Sequence, residues 1–283
     1  MSLRDALTAF AEGWEDDLSA SWRKALAGVQ PDPLAVLDTL TFSPAQPIYP
    51  TRRGVVLAGA RADAHVFRAF DGVAPSKVRC VLIGQDPYPL LSRATGRSFE
   101  QGDLAAWAVK SAAVAGSLRV LVRMLVAARI GDPGVLKLSW AAFAQHAATL
   151  PLESPRDLFD RLQAQGVLCL NAGLTITRYK SGGAPEQTKG HIPFWRPVVG
   201  QVLRSIATRH TGHVVFICLG QFSQQLMSAE GVEAAAVKAG TWQTRAAGLA
   251  LSHPVAPGFI NGPNPFLMVN SKLASMGAAT IDW

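Results

Sequence analysis

Four stretches of the chain are apolar almost without a break, rich in β-branched residues and closed by glycine or a polar turn: KVRCVLIG (77–84), GVLCLNAG (166–173), HVVFICLG (213–220) and GLALSHP (248–254). Continuous apolarity, rather than alternation, predicts strands covered on both faces, which is the habit of parallel sheets. Between them the period changes to that of a helix. SLRVLVRMLVAARI (117–130) puts Leu118, Leu121, Met124 and Leu125 on one side and keeps Arg119 and Arg123 off it. ESPRDLFDRLQAQG (153–166) offers Ser154 as N-cap, Pro155 at the first helical position and Gly166 as the stop. FWRPVVGQVLRSIATRH (194–210), with Pro197 marking its start, and QFSQQLMSAE (221–230) are further helices, and residues 3–28 form leading ones. Strands alternating with helices predict an α/β fold: a central, mainly parallel four-stranded sheet flanked by helices. No repeat, charge block or linker divides the chain. The expectation is one domain over 1–283, with 1–44 as a helical lead.

The strand ends carry the polar chemistry. The first runs into Gln85, Asp86 and Tyr88, the second into Asn171, the third into Gln221, and the fourth into Ser252 and His253. Ligands of open α/β sheets bind outside the carboxyl ends of the strands, so these groups are expected to share one crevice. Singly each has a plainer use: Asp before Pro as a turn residue, Asn bonded to nearby backbone, His before Pro as a structural group. Their joint placement is what points to a site.

Composition adds limits. Of 283 residues, 49% are hydrophobic and 17% charged, which suits a packed chain; the net charge of +7 is a weak pointer to a polyanionic partner. Cys80, Cys169 and Cys218 lie in apolar runs with no zinc or iron–sulfur spacing. The acidic N-terminus, MSLRDALTAFAEGWEDD, resembles neither a signal nor a transit peptide, and Lys110, Arg119 and Arg123 break the longest apolar stretch. A soluble, cytoplasmic, nucleoid-associated protein with no membrane contact is expected. Zinc, P-loop, dinucleotide and nucleophile-elbow motifs are absent from the sequence. One carboxylate, one imidazole, an amide and aromatics remain, with no metal or cofactor expected. That set suits hydrolysis through a cation-like transition state.

GQDPYP (84–89), RSFE (97–100), VLCLNAGLT (167–175), SHP (252–254) and the closing IDW stand in an order that resembles family 1 uracil-DNA glycosylase over roughly residues 45–283. The resemblance implies an enzyme that flips deoxyuridine out of single- or double-stranded DNA and hydrolyses its N-glycosidic bond, leaving an abasic site. Asp86 would stabilise the cationic sugar and hold the attacking water, and neutral His253 would donate to uracil O2. Phe99 would stack on uracil, Asn171 and the backbone around Gln85 would read it, and Tyr88 would exclude the thymine methyl. Ser117 and Ser252 would contact DNA, and the enzyme would act as a monomer.

The chain also departs from that pattern. Pro89 stands where the family has His. Pro254-Val255-Ala256-Pro257 replaces the Pro-Ser-Pro-Leu whose Leu enters the emptied stack, leaving Phe259 or Ile260 as wedge or as loop packing. Inhibitor proteins that mimic DNA and clasp that Leu would then bind more weakly. Ala115-Gly116 replaces a Pro pair before Ser117, which would meet phosphate or cap a helix; Arg178, Lys180 and Lys189 would meet phosphates or solvent. Three alternatives follow: the same fold acting on another damaged base or mainly on single strands, a catalytically silent DNA-binding module, and a nucleoside hydrolase.

Overall fold

A computed structural model describes residues 1–150, 152–177 and 184–283. In chain order these form α1 (Leu3–Ala11), α2 (Ala20–Ala25), β1 (Cys80–Gly84), α3 (Gly116–Ile130), α4 (Trp140–His146), α5 (Pro155–Ala164), β2 (Val167–Asn171), α6 (Ile192–Ala207), β3 (Val214–Leu219), α7 (Gln221–Ala229), α8 (Val232–Lys238), β4 (Ala246–Leu251) and α9 (Pro265–Ser275). The strands make a four-stranded sheet in the order β2-β1-β3-β4. All neighbours run parallel, with Cys80 opposite both Val167 and Val215, and Val214 opposite Ala246. The expected α/β class holds.

The continuous apolar runs conceal a period of two. Val81, Ile83, Leu168, Leu170, Val214 and Phe216 face one core, where α1, α2 and α6 pack. Cys80, Leu82, Cys169, Val215 and Ile217 face the other, with α3, α4, α5 and α9. The N-terminal lead is part of the first core: Trp14 lies 5.5 Å from Phe67 and 6.5 Å from Trp195, centroid to centroid. The cysteines are buried and free.

The caps of α5 are as expected: the Ser154 hydroxyl accepts from Asp157 N–H, Pro155 opens the helix, and Gly166 takes φ +89°. Pro197 does not start α6. The helix begins at Ile192, continuing a π-turn at Gln187–His191, and Pro197 lies inside it. A proline costs a helix one ladder bond; Asp32 N–H donates to the nearby Phe194 carbonyl at 2.8 Å, tying the lead to that turn. The strands are shorter than their apolar runs. β4 ends at Leu251, so Ser252 and His253 hang beyond its last pair. α4, α8 and α9 were not expected. Arg178 and Lys180 lie outside the described residues, and Lys189 sits exposed in the π-turn. No helix among the described residues is long and apolar enough to cross a membrane.

Candidate active site

The carboxyl ends of β1, β2 and β3 open into a cavity of about 260 Å³, and Gln85, Asp86, Tyr88, Phe99, Ser117, Asn171 and His253 all line it. The convergence comes from backbone bonds that run on past the strands. Ala172 N–H donates to the Gly84 carbonyl at 3.0 Å, and Gly173 N–H to the Gln85 carbonyl at 2.8 Å. Gly84 leaves the room for this. A Cβ there would collide with Asn171 Oδ1 and sit 2.7 Å from Ser98 Cβ. Asn171, only 3% exposed, therefore lies flat across the end of β1 with its amide in the cavity wall.

Asp86 is half-buried, and the bond its carboxylate accepts from Gln85 Nε2 is a long one, 3.4 Å. Burial pushes its carboxyl up to about 6, and the Gln85 amide offsets only part of that. Desolvation that no neighbouring cation offsets is what such a rise signifies. At neutral pH the group is still an anion, poorly solvated and suited to meet a positive charge. Tyr88, also half-buried, has its phenol pushed up to about 12 by desolvation, so it stays neutral. Its hydroxyl lies 3.4 Å from the Phe99 carbonyl and is hydrogen-bonded to the Ser117 side chain. Ser117 lies inside α3, whose N-cap is Ala115, so it does not cap the helix; its hydroxyl faces the cavity.

Phe99 has φ +64°, a left-handed value costing about 1–3 kcal/mol for a side chain with a Cβ. Strain of that kind concentrates at functional sites. His253 lies against Gly220, where an added Cβ would meet the His253 Cβ at 3.1 Å and its ring Cδ2 at 3.3 Å, and Gly220 itself takes φ +84°. The Nδ1 of His253 accepts from Val255 N–H at 3.3 Å. Since a backbone N–H can only donate, the neutral ring carries its proton on Nε2. Burial lowers the imidazole's pKa, which favours that neutral form.

Some expectations fail here. Phe259 is 6% exposed and packed in the core with α3 and α9, so it is not a free wedge. Ile260 is half-buried, and neither lines the cavity. Ser252 lies outside the lining but is exposed, so its placement does not contradict the expected contact with DNA. The exposed apolar side chain of that loop is Val255, at 59%; a Cβ on Gly116 would touch its Cγ1 at 3.2 Å, so the loop tip abuts the start of α3. Gln221 is exposed at the start of α7, and Phe222 and Ser223 line the cavity in its place. The helical phase of QFSQ carried that signal: the two residues after Gln221 turn back toward the sheet. Arg97 was likewise missed.

No protein-family model matches the chain. A uracil-DNA glycosylase of Mycobacterium bovis is 30% identical over 238 residues, covering 82% of this chain and 85% of that protein. One from Lactobacillus helveticus is 29% identical over 226 residues, covering 77% and 76%. Among solved structures, wild-type UNG from Nitratifractor salsuginis superposes with a TM-score of 0.61 at 22% identity, covering 97% of each chain. Mimivirus uracil-DNA glycosylase does so at 0.52 and 16%, covering 84% of this chain and 75% of that one. The structural likenesses speak for the fold. The sequence likeness to the mycobacterial protein runs through most of both chains, and by it this chain belongs to the uracil-DNA glycosylase family.

Proposed function

We propose that the chain is a monofunctional uracil-DNA glycosylase of family 1, working as a monomer and a single domain on single- or double-stranded DNA. The observation that carries the reading is Asp86: a desolvated carboxylate that no cation among the described residues offsets, in the same cavity as a buried amide, a strained aromatic ring and a neutral imidazole. In the proposed reaction the flipped nucleotide brings its base between Phe99 and the Asn171 amide, whose donor and acceptor match the polar edge of uracil. Tyr88 stands where a 5-methyl group would enter, held by its bonds to Ser117 and Phe99. As the glycosidic bond lengthens, positive charge grows on the sugar and negative charge on uracil O2. Asp86 meets the first and orients water, and His253 Nε2–H donates to the second.

A silent DNA-binding module fits less well. A desolvated anion weakens binding to a polyanion and suits a reaction that makes positive charge. The test is incubation, in EDTA, with matched uracil- and thymine-containing oligonucleotides in both strand forms. Abasic sites are expected only at uracil, with rates that fall as salt rises. Absence of uracil-dependent cleavage sinks the reading, and excision of a different damaged base in its place selects the alternative.

The loop 253–260 gives a second expectation. Val255, exposed and backed by Gly116, is the side chain we assign to enter the gap left by the flipped nucleotide. Val255→Ala is expected to slow duplex cleavage several-fold more than single-strand cleavage. Phe259→Ala removes a core side chain, at a cost of about 3–5 kcal/mol, and should lower the melting temperature while affecting both substrates alike. A duplex-selective defect in Phe259→Ala at unchanged melting temperature would reverse these assignments. With Pro257 at the leucine position and only the short Val255 exposed beside it, inhibitor proteins that grip this loop should bind weakly.

A further inference from the structure

Phe99 is the middle residue of a strap, residues 97–101, and each neighbour in the strap is anchored to a different part of the fold. Ser98 N–H donates to the Cys169 carbonyl at 3.0 Å and its Oγ to the Leu82 carbonyl at 2.9 Å, fixing the strap to β2 and β1. Gln101 Nε2 donates to the Ala113 carbonyl at 2.7 Å, and its Oε1 accepts from Ala115 N–H at 2.9 Å, fixing the strap to the turn that opens α3. These anchors are neutral. The other two are charges. Glu100 is 1% exposed; its Oε1 lies 3.0 Å from Arg61 Nη1 and its Oε2 3.4 Å from Arg68 Nε. Arg97 is 7% exposed; its Nη1 lies 2.6 Å from Asp160 Oδ1, and its Nη2 donates to Gln163.

Buried ion pairs are poor stabilisers compared with well-packed apolar residues, because desolvation consumes most of the attraction. Their best-attested use is to fix one geometry. Here they flank a ring whose backbone would relax out of the left-handed region if its ends were free. An ion pair on each side makes relaxation strand a buried charge. We propose that Glu100 with Arg61 and Arg68, and Arg97 with Asp160, form a positioning device that locks Phe99 in its left-handed conformation and so holds the base-stacking wall of the cavity. This rests on the reading of Phe99 as the stacking ring.

The test is a double-mutant cycle on the full chain, measured as KM and kcat for a single-stranded uracil oligonucleotide well below each variant's melting temperature. Phe99→Ala is expected to lower kcat/KM by about tenfold or more, and Glu100→Gln by a comparable factor, chiefly through KM. Glu100→Gln added to Phe99→Ala should then cost nothing further, since it acts through the ring. Losses that multiply, or a Glu100→Gln protein within about twofold of wild type, overturn the proposal. If Glu100→Gln does not fold, Arg61→Lys keeps the charge, loses the fork and enters the same cycle with the same expected outcomes. Undiminished cleavage by Phe99→Ala overturns both the stacking role and the device, whereas an inactive wild type points to the function itself.

Discussion

Asp86→Asn is expected to lower turnover at least ~100-fold and, at neutral pH, to make the protein more stable rather than less. Both effects have one cause. In the native state the carboxyl is pushed up from 3.8 to about 6 by burial. A group raised in the folded state adds stability only while protonated. Below about pH 4 folded and unfolded chains both hold the proton and Asp86 costs nothing. As pH rises from there through about 6 the unfolded chain ionises first, and the native state is penalised. Above that the penalty is constant. A tenfold difference in proton affinity between the two states corresponds to about 1.4 kcal/mol, so the full penalty is up to about 3 kcal/mol. The amide carries no charge and escapes it. Since about 2 °C accompanies each kcal/mol in a chain of this size, the variant should melt about 5 °C higher at pH 7.5 and level with wild type near pH 4. Melting curves across that range, beside single-turnover cleavage, check the pair. An active Asp86→Asn protein removes the carboxylate from the mechanism. A variant that is inactive and also less stable at pH 7.5 removes the claim that Asp86 is held desolvated for its chemistry.

How far the site could be read from the sequence follows from how each residue is held. Asp86, Asn171 and His253 sit where an apolar run stops, and the sheet does the rest: parallel strands in register put their carboxyl ends at one edge. No long-range packing has to be known. Phe259 is different. PVAPGFINGPNPF reads as an exposed loop because Gly, Pro and Asn dominate it, yet the phenyl turns under and joins α3 and α9. Composition states that a segment is irregular, not which side chain faces inward. Pro197 misled for a related reason. A proline is expected near a helix start, but a π-turn already supplied the preceding helical backbone, so α6 began earlier. The strap around Phe99 is not legible in the sequence because the partners of Arg97 and Glu100, namely Asp160 and Arg61, lie far away in the chain. Only the fold shows Arg97 and Glu100 buried and each paired with a distant charge.

The second large effect is His253→Leu, expected to lower turnover at least ~100-fold, the cost of removing one preorganised donor from a developing anion. The ring's state can be read from its contacts. Val255 N–H occupies Nδ1, leaving the proton on Nε2, and burial lowers the imidazole's pKa so that the neutral form dominates at pH 7. A neutral donor gives a specific pH profile. In the proposed mechanism Asp86 has to be ionised, which requires pH above about 6, and His253 has to be neutral, which is met in the same direction of pH. The two requirements coincide instead of opposing each other. The rate should therefore rise through about pH 6 and then stay flat to about pH 9, below the titration of other donors, rather than trace a bell. Nitrogen NMR of the labelled imidazole should show an Nε2–H tautomer that takes up a second proton only below the ordinary histidine range. An alkaline fall between pH 7 and 9 that vanishes in His253→Leu would mean that the protonated ring is the working form, and the tautomer fixed by Val255 would then have no part in catalysis.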